Sequence, residues 1–84
     1  MGYLFLSNLT ITQDGYSSIL KLNFGENVNE GLIKVFDIKG KEYMEFPIFN
    51  SQSEMIPIGG LPIGMYFMSI NVDGKRVVKK MMKR

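Results

Sequence analysis

Eighty-four residues hold one small domain: a chain this short buries only about 60% of its unfolded surface, which excludes a second independent core. A hydrophobic fraction of 45% and a mean hydropathy of +0.03 exclude disorder. The lack of cysteine and histidine removes disulfides, thiolate nucleophiles, Cys-bound zinc and the commonest general base near neutral pH. The net charge of +2 is uneven, because residues 75–84 carry six cations and no acid while residues 1–74 carry 4 cations against 8 acids. A pI near 9.0 therefore gives no support to nucleic-acid binding.

The first segment, Met1-Gly2-Tyr3-Leu4-Phe5-Leu6, is apolar but has no basic flank and no small-residue cleavage site, so it does not read as a signal peptide. An exported form of this chain would be a piece of a longer precursor with its signal upstream. No apolar run reaches the ~18–20 residues of a membrane span. Tyr3–Leu6 and Leu9–Ile11 are weak strand candidates, and residues 1–16 read as a linker or weak first strand before a β-sandwich domain over 17–84.

Ser17–Phe24 alternates with period two, placing Leu20, Leu22 and Phe24 on one face and Lys21 and Asn23 on the other. Gly25–Gly31 is rich in turn formers and reads as a connection. Leu32–Ile38 follows with apolar residues on both faces, the mark of a central strand or of one covered by a neighbour. Lys39-Gly40 turns the chain back through Tyr43, Met44 and Phe46, and Pro47 lacks a donor, so that strand ends at a sheet edge or outside the ladder. Asn50–Ser53 reads as a polar loop, Met55–Ile58 as a short strand and Gly59–Gly64 as a connection. Tyr66, Met68, Ile70 and Val72 line one face of the clearest strand, Met65–Val72. Asp73-Gly74 is the strongest two-residue hairpin signal, and Lys75–Met82 returns from it. Strands at about ten-residue spacing predict an all-β, immunoglobulin-like β-sandwich of about seven short antiparallel strands, held by aliphatic, Met and Tyr packing.

No residue set supports catalysis, a cofactor or a metal. The serines have no partnering motif. Glu42 and Glu45 lie three apart, which on a regular strand points them to opposite faces, and Asp37 beside a hairpin suits a turn-stabilising role. Gly59-Gly60 is followed by no Lys-Ser or Lys-Thr and no helix, so it is no phosphate loop. Asn8-Leu9-Thr10 is a formal glycosylation sequon of low information. The adjacent Met81-Met82 must expose at least one side chain on a strand. The tail Lys79-Lys80-Met81-Met82-Lys83-Arg84 has no stacking aromatic, which argues against specific nucleic-acid binding. A strand this basic also suits a solvated sheet edge kept soluble by its lysines.

The segment Leu61-Pro62-Ile63-Gly64-Met65-Tyr66, then Ile70, then Asp73-Gly74-Lys75 and the basic tail, resembles the C-terminal sorting domain of type IX (Por) secretion cargo, type A family. The stretch Ile33–Glu42, an apolar strand closing in Asp37-x-x-Gly40-Lys41, resembles the family's other hallmark. The likeness spans roughly Ser17–Arg84. It departs from the family before the first strand, where Gln13-Asp14-Gly15-Tyr16 stands in place of a Pro-Asn-Pro-like segment.

The resemblance implies a sorting signal of Bacteroidetes-type bacteria, carried behind an N-terminally fused cargo, with the type IX translocon and a sortase-like protease as partners. It implies periplasmic transit and then a cell-surface or secreted destination, with no enzymatic activity and no membrane insertion. It assigns folding roles to Asp37, Gly40, Leu61, Pro62, Gly64, Tyr66, Ile70, Asp73 and Gly74. Translocon recognition falls to Lys79, Lys80, Met81, Met82, Lys83 and Arg84. The rival expectation is a non-catalytic immunoglobulin-like accessory or adhesion module, and a dimer through an exposed edge strand is open to either.

Overall fold

A computed structural model describes residues 9–13 and 18–84. Tyr3–Leu6, the sequon's Asn8 and the Asp14–Tyr16 departure lie outside the described residues. Among those described, the chain forms five strands: β1 Thr10–Gln13, β2 Ile19–Asp37, β3 Glu42–Pro57, β4 Gly64–Val72 and β5 Lys75–Lys83. All pairs are antiparallel: β1 and β4 flank opposite stretches of β2, β3 runs beside β2, and β5 closes on β4.

The expected seven short strands resolve into five because two of them are long. β2 has 19 residues and β3 has 16, each merging two predicted strands across a stretch that reads as a loop. Gly25–Gly31 and Asn50–Ser53 therefore lie inside strands. The ladder does break there, with Asn23 opposite Ser53 and then Val28 opposite Ser51, so β2 carries extra residues at the bend. Gly25 (φ +81°) and Asn50 (φ +48°) take left-handed conformations, and Asn27 Nδ2 donates to Asn50 Oδ1 at 3.0 Å across the bend. Such a bulge lets a continuous strand cross from one layer of a sandwich to the other. At Gly31 the approach of β4 leaves no room for a side chain: a Cβ there would lie 2.7 Å from the Asn71 carbonyl oxygen and from Val72 Cγ1.

The sheet curls round one core. Leu20, Leu22, Phe24 and Ile56 come from the first half of β2 and the end of β3, with Ile58 just beyond it, and Ile33, Val35, Ile48, Met68, Ile70 and Val72 come from the opposite layer. Val28, buried within the bend, joins the two. The stretch Gly31–Asp37 pairs with β3 on one side and β4 on the other, which makes it the central strand its sequence predicts.

A second register shift reverses one expectation. Val35 pairs with Met44 and Phe36 with Glu42, so Tyr43 is the extra residue of a bulge. One inserted residue flips the alternation. Glu42 and Glu45 consequently face the same cation, with carboxylate oxygens 3.8 and 3.7 Å from Lys34 Nζ, rather than opposite sides.

Candidate recognition surface

The residues of the Leu61–Tyr66 stretch build a corner. The Leu61 amide donates to the Ile58 carbonyl at 3.0 Å, and Leu61 packs partly against the core. Gly64 enters β4 at φ +154°, a conformation that side chains rarely adopt. The Tyr66 hydroxyl then donates back to the Pro62 carbonyl, locking the corner as the tyrosine corners of other sandwiches do. The Tyr66 ring is buried and meets Tyr43 edge-to-face, with centroids 5.6 Å apart. Burial raises the Tyr66 phenol above its ordinary value of 10.0, and the nearby Tyr43 and Asp37, both anionic when ionised, add to the shift. Ile70 lies fully buried on the same strand, opposite Ile33 of β2 and Val77 of β5.

Two aspartates organise the turns. Asp37 Oδ1 accepts from the amides of Lys39 and Lys41, both at 2.9 Å, bracketing the turn that Gly40 makes at φ +91°. Asp73 and Gly74 both take positive φ, as a two-residue hairpin requires. The Asp73 carboxylate also accepts from the amides of Asn29 (3.1 Å) and Glu30 (3.0 Å), while its own amide donates to the Glu30 carbonyl. Sequence reasoning gave Asp73 only its turn. The clasp onto β2 joins positions 43 and 44 residues apart, and local spacing carries no signal for it.

The structure divides the basic tail. Met81 is buried against the core, and Lys83 is buried with its ammonium donating to the Arg84 carbonyl at 2.9 Å. Lys79, Lys80, Met82 and Arg84 are exposed. The surface these residues can offer a partner is thus smaller than the six-residue run, and Met81 and Lys83 serve packing.

The backbone of β5 follows from its turn. Val72 and Lys75 close a two-residue hairpin, so the odd residues of β5 bond to β4 and the even ones, Arg76 to Met82, turn their N–H and C=O groups away from it. The Met82 carbonyl bears this out by accepting from Gln13 Nε2 of β1 at 2.7 Å. Among the described residues β5 has no further strand beside it, and its cations form no ion pair with an acid. Phe67 and Met65 of β4 continue its outer face, both partly exposed beside Lys80 and Met82. No group of three or more acidic, His or Cys side chains among the described residues is placed to hold a metal ion.

A family model, the secretion system C-terminal sorting domain, matches residues 16–84. No curated protein is significantly similar to this chain. Among solved structures, a DUF3244-family protein from Bacteroides vulgatus ATCC 8482, with an immunoglobulin-like β-sandwich fold, is 24% identical. It superposes with a TM-score of 0.79 over 90% of this chain and 83% of its own. That likeness establishes the fold as an immunoglobulin-like β-sandwich.

Proposed function

This chain belongs to the type IX secretion-system C-terminal sorting domain family, and from that membership we propose that it directs an N-terminally fused cargo across the outer membrane through the type IX translocon. The family acts with the type IX secretion system on an N-terminal cargo, and its destination is the cell surface or the medium. In this reading residues 17–84 are the sorting domain, read folded in the periplasm, and residues 1–16, which include β1, join it to the cargo. A sortase-like protease removes the domain on anchoring or release. The domain has no catalytic role of its own. Its exposed cations, Lys79, Lys80 and Arg84, and the Met82 side chain form the translocon-facing surface, while Asp37, Gly40, Leu61, Pro62, Gly64, Tyr66, Ile70, Asp73 and Gly74 maintain the fold that presents it.

The observation that carries this reading is that the family match extends over β2 to β5, the whole of the sandwich apart from β1. The test fuses residues 1–84 behind a periplasm-exported fluorescent reporter in a bacterium with a working type IX system, beside a strain lacking the translocon. Translocon-dependent reporter at the surface or in the medium is the expected result. Reporter that stays periplasmic behind a folded domain overturns it in favour of an accessory or adhesion module.

A further inference from the structure

The edge of β5, which has no strand beside it among the described residues, borders a slot in the sandwich. Where Gln13 touches Met82 the seam between β1 and β5 is closed. Towards Lys79 and Lys80 it opens into a cavity of about 350 Å³, whose lining mixes apolar side chains, among them Leu9, Ile11, Met68 and Met81, with the polar Gln13 and the two lysines. Three features therefore coincide along the stretch Arg76–Lys80: outward-turned backbone groups, a partly apolar slot beside them, and cations that have no acidic partner among the described residues. On the outer face the row reads Arg76, Val78, Lys80, Met82, alternating cation and apolar side chain.

We propose that the β5 edge binds an extended acidic segment of a partner protein by strand addition, with the segment's apolar side chains entering the β1–β5 slot and its acids lying beside Arg76 and Lys80. Strand addition draws affinity from main-chain hydrogen bonds and specificity from alternate side chains. The charge of β5 selects against a basic strand, because like charges directly opposite each other destabilise a pair. The apolar part of the slot, Leu9, Ile11 and Met81, suits apolar residues at the alternate positions. This assignment rests on the sorting role above only in identifying the partner as part of the export machinery; the binding mode stands on the geometry of the edge.

The test uses the 84-residue chain and a short synthetic peptide alternating Glu and Val, with two controls: a Lys–Val peptide and a Glu–Val peptide N-methylated on alternate residues. Binding of the Glu–Val peptide alone is expected, with slowed amide exchange at Val78 and Lys80 and little change at Val77 and Lys79. Val78→Pro removes an outward donor without touching the β4 ladder and should abolish binding. Lys80→Glu should weaken binding about tenfold and favour the Lys–Val peptide instead, which keeps the proposal testable if the proline variant misfolds.

Equal binding of the N-methylated peptide means charge attraction alone and overturns strand addition. Slow exchange at Val78 and Lys80 in the peptide-free protein means the edge is already taken and also overturns it; sedimentation then tells a second copy from a segment of the same chain. The secretion assay separates the two readings. Reporter export that survives both variants defeats the edge as the recognition site and leaves the sorting role standing. Loss of export in the unmodified fusion defeats the sorting role and leaves the peptide result intact.

Discussion

Among the described residues, the layer that contains β5 has a second free edge, the first half of β3, and the two are built on opposite terms. Asp37 turns its amide to Lys41 and its carbonyl to Gly40, so alternate residues of β2 back to Gly31 bond towards β3 and Leu32 does not. Pro47, opposite Leu32, therefore aims its donor-less nitrogen at the open side. Over this half β3 carries Glu42 and Glu45 and no cation, one proline at Pro47, and a bulge at Tyr43. The charged residues of β5 are all cations, and it has no proline and nine unbroken pairs with β4. Proline and bulges are standing obstacles to a further strand, whereas charge repels one kind of strand and attracts another. One edge is closed to all comers and the other is selective.

The contrast depends on β4 holding both edges in one sheet, and Tyr66 on β4 is where it is most easily broken. Tyr66→Ala should cost about 3–5 kcal/mol in denaturant melts, with faster amide exchange along β3 and β5 alike. A melting shift of only a degree or two would mean that the ring does not couple them. Gly31→Ala pushes a methyl into the Asn71 carbonyl and Val72, and a loss of about 1–3 kcal/mol is expected, with exchange rising first in β4 and β5.

Tyr66→Phe removes the bond to the Pro62 carbonyl and should cost about 1 kcal/mol near neutral pH. It should also flatten the alkaline end of the stability curve. The Tyr66 phenol is raised in the folded state, so the unfolded chain releases its proton first, and stability falls as pH rises above 10.0. A decline of equal steepness in the phenylalanine variant would assign it to other groups. The smallest stability effect belongs to Pro47→Val, within about 0.5 kcal/mol, yet this change restores an outward donor to β3. Concentration-dependent association of that variant in sedimentation is expected, and a variant that stays monomeric would show that acid charge alone guards the edge.

The sequence made some of this plain and hid the rest for definable reasons. Leu20, Leu22 and Phe24, and Tyr66 to Val72, declare their strands because burial on one face imposes period two. Asp73-Gly74 declares its turn because only such residues tolerate positive φ in succession. The continuity of β2 was hidden, since Val28 is a single buried apolar residue amid turn formers and its pairing with Ser51 is settled by the other strand. The shared approach of Glu42 and Glu45 to Lys34 was hidden by one bulged residue. For the candidate site, the cluster of charge was legible. Which residues of β5 face outward was set by hairpin parity, and the seam with β1 by a contact between Gln13 and Met82.

The Asp73 clasp also bears on the order of events when the chain folds. β2 with β3, and β4 with β5, are hairpins of neighbouring strands, whereas Gly31 must find Val72 across some forty residues. Closing so long a loop is slow, so the two hairpins form early and dock late. The Asp73 carboxylate can reach the Asn29 and Glu30 amides only after docking. It therefore acts as a latch on the finished structure, and loosening it will speed unfolding far more than it delays assembly.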